Sequence, residues 1–208
     1  MRRAILALVV TAVAACQPRD ADAPTAPVDN PAQDVPPATA PRAPAQASAS
    51  PPVDGAGRLG AGRLDFRGFG EAAFGAEADA LRKAWGETLE GQPQEPGGCH
   101  YLVPAGGPEV FRFGFMIEGG RFVRVDVDTA DVTAPGGGRV GMPRTELLRL
   151  YPDAEAQPHK YVDGGQYLRI RDPQGGAGVL LFETDAQGRV TRWRLGVPPQ
   201  IDYVEGCS

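Results

Sequence analysis

The sequence predicts an α+β fold in which two tandem repeats, each a short helix followed by three strands, form one antiparallel sheet with both helices on one face. The first observation behind this prediction is that residues 74–85 align with residues 140–151, with coinciding apolar positions. At the same offset, residues 98–102 lie over 164–168. Self-similarity at a fixed offset indicates an internal duplication.

A third pair of blocks extends the duplication, because residues 120–125 match residues 188–193 after a shift of two positions. The three blocks occur in the same order in both copies. Repeat one is therefore placed at about 63–130 and repeat two at about 136–208, within a globular domain that spans 58–208.

Each copy begins with a predicted helix, over 76–85 in the first and 143–151 in the second. Apolar residues recur there at helical spacing. Pro143 suits a first helical turn, where its missing N–H is not needed. Gly86 and Pro152 are expected to end the helices.

Antiparallel strands follow each helix. The first strand is predicted at 100–103 in one copy and at 167–171 in the other. Each copy then ends in a hairpin, with turns at 118–120 and 185–188 that are rich in glycine or in Asp and Gln. Together the two copies predict a sheet of six or more strands, with helices covering one face.

The N-terminus has the pattern of a bacterial export signal: Arg2 and Arg3, an apolar run over 4–14, and small residues before Cys16. The run is shorter than the ~20 residues that span a bilayer. The pattern resembles a lipoprotein leader, which implies cleavage after residue 15, lipidation of Cys16 and, since Gln17 follows, an outer-membrane anchor on the periplasmic face. Ordinary signal cleavage is the alternative.

Residues 16–57 are predicted to be a disordered tether that starts at the lipidated cysteine. From 17 to 57 the chain contains no aromatic residue, Leu or Ile and cannot bury a core. Its prolines favour an extended spacer. The net charge of -5 gives no sign of nucleic-acid binding. The membrane, through the anchor, is the first expected partner.

Cysteine usage suits an oxidising compartment. With Cys16 assigned to lipid, Cys99 and Cys207 remain and are predicted to form a disulfide. Closing so long a loop stabilises a fold by roughly 4 to 5 kcal/mol on the chain-entropy estimate. The alternative is a metal site formed by both cysteines with His100 and His159, but the spacing matches no metal motif.

Strand alternation predicts which residues face away from the helices. Val123, Val125 and Val127 share one face, as do Thr191, Trp193 and Leu195, and these are expected to pack under the helices. The opposite, open face should carry an Arg-rich and aromatic set: Tyr101, Phe122, Arg124, Tyr167, Arg169, Arg171, Arg192 and Arg194. Such a face suits recognition of carboxylates on a partner. The alternative is a solvated sheet face with no ligand.

No catalytic constellation is recognisable, so we expect a non-enzyme with no catalytic residues, no cofactor and no metal. His100 is expected to face the core, and His159 has no nucleophile motif near it. Asp126, Asp128 and Asp131 lack the glycine and terminal Glu of a calcium loop. A hydrolase that depends on His159 is the least favoured reading.

Several segments resemble known families. The phrase 141–148, Gly-Met-Pro-Arg-Thr-Glu-Leu-Leu, resembles the helix start of the SmpA/OmlA-type outer-membrane-assembly lipoproteins, with Pro143 in place of a hydroxyl residue. The tandem arrangement is similar to that of the β-lactamase inhibitor protein, whose two repeats grip a partner protein. Segments 136–141, 159–162, 181–185 and 203–208 resemble uncharacterised proteobacterial lipoproteins, some labelled lectin.

The leader, the open sheet face and the lack of a catalytic motif together predict a non-enzymatic, lipid-anchored binding or structural module of the envelope. Its sheet face would contact an envelope protein. The alternative is a carbohydrate-binding module, in which Tyr101, Tyr167 or Trp85 stacks on sugar rings.

Overall fold

The structure, a computed structural model, describes Leu59, residues 63–106 and residues 112–207. These residues form eleven strands and two α-helices, so the described part of the chain is mostly β. The predicted signal peptide, Cys16 and the tether lie outside the described residues. No helix among the described residues is long and apolar enough to cross a membrane.

An eight-stranded antiparallel sheet forms the centre of the molecule. Its strands are β4 (Leu89–Glu90), β5 (His100–Pro104), β6 (Phe113–Glu118), β7 (Arg121–Val127), β8 (Glu155–Pro158), β9 (Gln166–Arg171), β10 (Val179–Thr184) and β11 (Val190–Gly196). The spatial order is β4-β5-β6-β7-β11-β10-β9-β8. Each half of the chain therefore contributes four neighbouring strands, and β7 and β11 join the halves at the centre.

A second, three-stranded sheet precedes it and was not predicted. It consists of β1 (Leu64–Asp65), β2 (Gly68–Phe69) and β3 (Ala72–Ala73). Its strands have two residues each, too short for an alternating pattern to be visible in the sequence. Phe69 lies 5.5 Å from the ring of Trp85 and 5.6 Å from that of Phe115, so this sheet helps to cover the larger one.

The predicted fold class is therefore wrong. The protein is not an α+β fold of two helix-plus-three-strand repeats with helices covering one face. The two helices, α1 (Ala78–Trp85) and α2 (Arg144–Leu150), have eight and seven residues and are too short to cover eight strands by themselves. The small sheet shares that role because glycine-punctuated turns fold residues 64–73 back on themselves.

At the start of both helices, the first backbone amide is bonded to a hairpin turn and no side chain caps the helix. Neither Glu77 nor Pro143, the residues before the helices, makes a capping side-chain hydrogen bond. The first amide of α1, from Ala78, donates to Gly120 O at 2.9 Å, and that of α2, from Arg144, donates to Gly188 O at 2.7 Å. The turns thus satisfy helix donors that would otherwise lack partners.

The sheet's aromatic face, defined by Phe115, Val125, Phe182, Trp193 and Leu195, forms the main core. All five side chains are fully buried, and they belong to one cluster with residues from the helices and the small sheet. The cluster includes Leu81, Trp85, Leu147, Leu168 and Leu180. At about 25 cal/mol per Å² of buried apolar surface, this cluster supplies most of the driving force for folding.

Two β-bulges change which side chains reach this core. The register between β6 and β7 shifts so that Met116 pairs with Arg124 but Ile117 pairs with Phe122, leaving Val123 as an extra residue. Thr191 is the extra residue between β10 and β11. A one-residue insertion reverses the facing of the residues beyond it. Phe122, which was expected to point outward, is therefore part of the core, and so is Val190.

The two edges of the large sheet are poorly suited to further pairing. β4 has only two residues. β8 has only four residues and ends at Pro158, which has no backbone N–H to donate.

Candidate functional site: the charged face and the C-terminal segment

The opposite side of the large sheet, which we call the charged face, carries Arg124, Asp126, Glu183 and Arg194 at its centre. In β-sheets these positions alternate with those of the aromatic face, as expected for pleated strands. All four are buried, and Arg124 and Arg194 are 1% and 2% exposed. Burial of four charged groups requires both a cover and a full set of partners.

The cover is the C-terminal segment, residues 197–207, which follows β11 and contains a short 3-10 turn (Gln200–Asp202). Ile201 is fully buried and packs with Val179, Leu181 and Tyr167 of the charged face. Cys207, near the end of the segment, forms the predicted disulfide with Cys99, with a Cα–Cα distance of 5.2 Å. The disulfide prediction is confirmed.

Arg124 binds the segment mainly through backbone carbonyls. Its Nη1 donates to the carbonyl oxygens of Gln200 at 2.6 Å and Tyr203 at 2.8 Å. Its Nε donates to Asp126 Oδ2 at 2.8 Å, and its Nη2 donates to Tyr101 Oη at 2.9 Å. Burial works against the charge, but Asp126 and Tyr101 outweigh it and raise the pKa of Arg124.

Tyr101 completes this cluster. Its hydroxyl donates to Asp126 Oδ2 at 3.1 Å while it accepts from Arg124. Burial, and next the negative charge of Asp126, raise the pKa of Tyr101 to about 12. The phenol therefore stays protonated over the physiological range and acts as a fixed donor.

Arg194 is the second anchor of the segment. Its Nε donates to Ile201 O at 2.8 Å, and its Nη1 is paired with Glu183 Oε1. Burial lowers the pKa of Arg194, against the attraction of Glu183, and the nearby charge of Arg124 lowers it further. A buried pair of this kind fixes geometry more reliably than it adds stability.

His159 extends the network at the side of the sheet. Its Nε2 lies 3.2 Å from Glu183 Oε2, and its ring stacks on Tyr167 at a centroid distance of 4.4 Å. The amides of Tyr161 and Val162 approach its Nδ1 at 3.1 and 3.2 Å. Backbone amides only donate, so Nδ1 is the acceptor. The ring proton is therefore on Nε2, which donates a hydrogen bond to Glu183 Oε2. Both ring nitrogens have structural partners.

Two clefts flank the last residues of the segment. The Arg192 cleft, of about 250 Å³, lies over the middle of the sheet and is lined by Tyr101, Arg124, Asp126, Asp128, Arg192, Arg194 and the segment. The disulfide cleft, of about 410 Å³, lies on the other side and is lined by Cys99, Glu118, Lys160, Asp202, Tyr203 and the same segment. Val204, Glu205, Gly206 and Cys207 line both clefts.

The expectation of a bare Arg and aromatic face is wrong, because the C-terminal segment covers its centre. Seven of the eight predicted residues do lie on the charged face: Tyr101, Arg124, Tyr167, Arg169, Arg171, Arg192 and Arg194. Phe122 does not; it contacts Phe74 and Phe115 on the aromatic face, where the bulge places it.

The arginines of the charged face differ in accessibility. Arg169 is largely buried and bonded to Asp202 of the segment at 2.5 Å. Arg171 is exposed at the edge of the sheet, where it pairs with Glu155 at 3.0 Å. Arg192 is exposed, and its side chain makes no hydrogen bond or ion pair within the described ranges. It is an exposed cation that lines the Arg192 cleft.

The alternative sites weighed from the sequence are not assembled. Cys99 and Cys207 are joined to each other and are not available as thiolate ligands. Asp126 pairs with Arg124, and Asp131 pairs with Arg112. No group of three or more His, Cys, Asp or Glu residues is placed to hold a metal ion in the described ranges.

Sequence reasoning missed Glu183 and the C-terminal segment. A signal for each was present. Glu183 shares a strand face with Val179 and Leu181, which marks a buried carboxylate that needs a cation. The predicted bond between Cys207 and Cys99, at the start of β5, already required the end of the chain to return to the sheet.

Comparisons with known proteins add little. No protein-family model and no curated protein matches this chain. A solved structure that aligns with it is an extracellular protein containing a SCP domain from Bacillus anthracis str. Ames, with 13% identity and a TM-score of 0.40. The alignment covers 60% of this chain and 44% of that one, so the chain spans less than half of its length. This likeness carries no argument about function.

Proposed function

We propose that this chain is a non-enzymatic binding module of the bacterial envelope, anchored by lipid at Cys16 on the periplasmic face of the outer membrane. Its ligand surface is the Arg192 cleft, and its ligand is a protein partner that offers a carboxylate. The leader pattern that ends at Cys16 supports the location. The cleft supports the binding role.

The observation that carries this proposal is the state of Arg192. Its guanidinium is exposed and has no ion pair in the described part of the chain, whereas every other arginine of the charged face is bonded. Arg192 attracts Asp128, which lines the same cleft and whose pKa is raised by burial against the attraction of Arg192 and Arg112. A free guanidinium at the mouth of a cleft suits bidentate binding of a carboxylate.

The floor of the cleft is already organised before any ligand binds. Arg124 and Arg194 are fixed by carboxylates and by carbonyls of the C-terminal segment. Little side-chain entropy would be lost there on binding, which favours affinity and specificity. Only Arg192 would need to become ordered.

A non-enzymatic role is supported by the bonding of His159. Its two ring nitrogens bind Glu183 and two backbone amides, so neither is free to act as a general base. Any catalysed reaction found in a broad activity screen and lost in a His159→Ala variant would contradict this part of the proposal.

The test is crosslinking in intact cells, with mass spectrometry of the captured partners. Arg192→Glu should abolish capture of the partner while the melting temperature stays unchanged. Arg171→Glu is the matched control, since Arg171 is an exposed arginine on the same face but far from the cleft, and it should retain capture. If Arg192→Glu captures as much of the partner as the wild type does, the cleft is not the site.

Arg169 is not suitable for this test, although it lies on the same face. Its bond to Asp202 holds the C-terminal segment, so a charge reversal would disturb the fold as well as the surface. The anchor is tested separately: Cys16→Ser should release the chain from the membrane fraction. Persistence in that fraction would contradict lipidation.

Carbohydrate binding is the second candidate, and two of the three rings expected to stack on a sugar are not available for it. Tyr167 and Trp85 are buried and cannot stack on a sugar. Tyr161 and Tyr203 are 57% and 37% exposed. Tyr203 lines the disulfide cleft, Tyr161 bonds to Glu205 of its lining, and the carboxylates there can accept hydrogen bonds from sugar hydroxyls. Glycan-array binding that is lost in Tyr203→Ala would favour this candidate, and silence across glycans and peptidoglycan fragments would count against it.

A further inference from the structure

The last described residues of the chain, 204–207, form a wall between the two clefts. All four line both the Arg192 cleft and the disulfide cleft. The wall packs closely on the sheet: a Cβ atom added at Gly206 would lie 2.8 Å from Tyr101 Oη. Removing the wall would therefore join the clefts and uncover Tyr101.

The wall is held much less firmly than the part of the segment before it. Residues 200–203 are fixed by the buried Ile201, by carbonyl bonds to Arg124 and Arg194, and by the bond between Asp202 and Arg169. Among the described residues, no backbone hydrogen bond ties 204–207 to the sheet.

The remaining contacts of the wall are few. Val204 packs on the apolar cluster of the charged face. Glu205 bonds to the exposed Tyr161 and lies 3.8 Å from the exposed Lys160, contacts of a kind that contribute little. The covalent bond from Cys207 to Cys99 is the one strong restraint.

We propose that the disulfide cleft is a thiol–disulfide exchange site for a dithiol reductant, and that reduction of Cys99–Cys207 releases residues 204–207 and merges the two clefts into one groove. This rests on the proposed function, because the merged groove contains the Arg192 site. The closed form presents two separate clefts, of about 250 and 410 Å³, and the open form presents one continuous groove.

The chemistry is ordinary exchange. A thiolate of the reductant attacks one Sγ of the disulfide, forming a mixed disulfide and releasing the other Sγ as a thiolate that takes up a proton. The second thiol of the reductant then resolves the mixed disulfide. Two electrons and two protons pass from the dithiol to Cys99 and Cys207, and the reductant leaves as a disulfide. Both cysteines are part-exposed and line the cleft, so they can be reached.

The test is hydroxyl-radical footprinting of the purified chain, with oxidised and phosphine-reduced protein compared side by side. Reduction should increase the modification of Tyr101 severalfold. Tyr167 lies under Ile201 and serves as the internal control, because its modification should not change if residues 197–203 stay in place. A Cys99→Ser/Cys207→Ser variant should match the reduced protein without any reductant.

Each outcome decides the proposal. An increase at Tyr101 alone supports it. An unchanged Tyr101 in protein with two free thiols overturns it, and so does an equal increase at Tyr167, which would mean that the whole segment leaves. Loss of the sheet signal in circular dichroism on reduction would also overturn it, because the disulfide would then stabilise the whole fold and not only residues 204–207. No partner is present in these measurements, so they are independent of the Arg192→Glu capture result.

Discussion

The two faces of the eight-stranded sheet are buried by different physics. The aromatic face is covered by two helices and a small sheet, and its contacts are between carbon atoms, as between Trp85 and Phe115 at 5.4 Å. The charged face is covered by a single extended segment, and its contacts are ion pairs and bonds from guanidinium groups to carbonyls. One cover is broad and apolar, and the other is narrow and polar.

This difference shows how a short segment can bury a sheet face without a large apolar surface of its own. Residues 197–207 contribute one fully buried side chain, Ile201. Their other contacts are the Cys99–Cys207 disulfide, the packing of Val204, and bonds from arginines to carbonyl groups and to Asp202. The aromatic face should therefore tolerate conservative exchange between apolar residues, whereas the charged face should not tolerate loss of a single partner.

The largest expected effect is on the aromatic face. Trp193→Ala removes a fully buried ring that packs on Phe182, and it should lower the free energy of unfolding by about 3 to 5 kcal/mol. Urea unfolding followed by circular dichroism measures this. Trp193→Phe is the control and should cost much less, since the indole N–H has no hydrogen-bond partner in the described structure. Similar losses for both variants would contradict this account.

On the charged face, replacing one arginine should lower the free energy of unfolding almost as much. Arg124→Met leaves the Asp126 carboxylate without its cation and two carbonyls without the guanidinium that donates to them, at a cost of about 3 kcal/mol in the same unfolding assay. The double variant Arg124→Met/Asp126→Leu should recover part of that loss, because no unpaired charge remains. Arg121→Met is the control on the same strand: its exposed pair with Glu77 should contribute under about 1 kcal/mol.

The smallest expected effect is a pH dependence of the free energy of unfolding, which arises from Tyr101 on the charged face. Because the pKa of Tyr101 is raised to about 12 by burial, the folded state keeps its phenolic proton at pH values where the unfolded chain, with an ordinary pKa near 10, has lost it. The contribution of Tyr101 is fully present below pH 10 and is lost as the pH rises from 10 to 12. Urea unfolding across this range should show a steeper decline for the wild type than for Tyr101→Phe. Parallel curves would mean that the phenol is not buried.

The sequence was sufficient to predict the central features of the aromatic face. Alternation in β7 and β11 predicted that Val125, Val127, Trp193 and Leu195 share the buried side, and the structure places them there. These residues are far enough from the bulges for the two-residue period to hold.

The two bulges and the small sheet could not be predicted from the same patterns. An extra residue at Val123 or Thr191 leaves the string of apolar residues unchanged, so a bulge is invisible until the partner strand is known. The strands β1–β3 are too short to show a period. Packing around Phe69, a long-range effect, determines their conformation.

The candidate site was the least predictable part, because a strand pattern assigns a face but not its cover. Arg124 and Arg194 were correctly placed opposite the helices, yet nothing in β7 or β11 shows that Gln200 and Ile201 return to bind them. The disulfide prediction was the one long-range constraint available. A bond between Cys207 and Cys99 requires the end of the chain to return to the start of β5.

The edge strands have a consequence for self-association. An open eight-stranded sheet invites a neighbouring copy to add its own strand, and so begin aggregation. Here one edge offers only the two residues of β4, and the other ends in a proline that cannot donate to a ninth strand. Molecules crowded together should thus remain separate along both margins, which leaves their broad surfaces as the route to assembly.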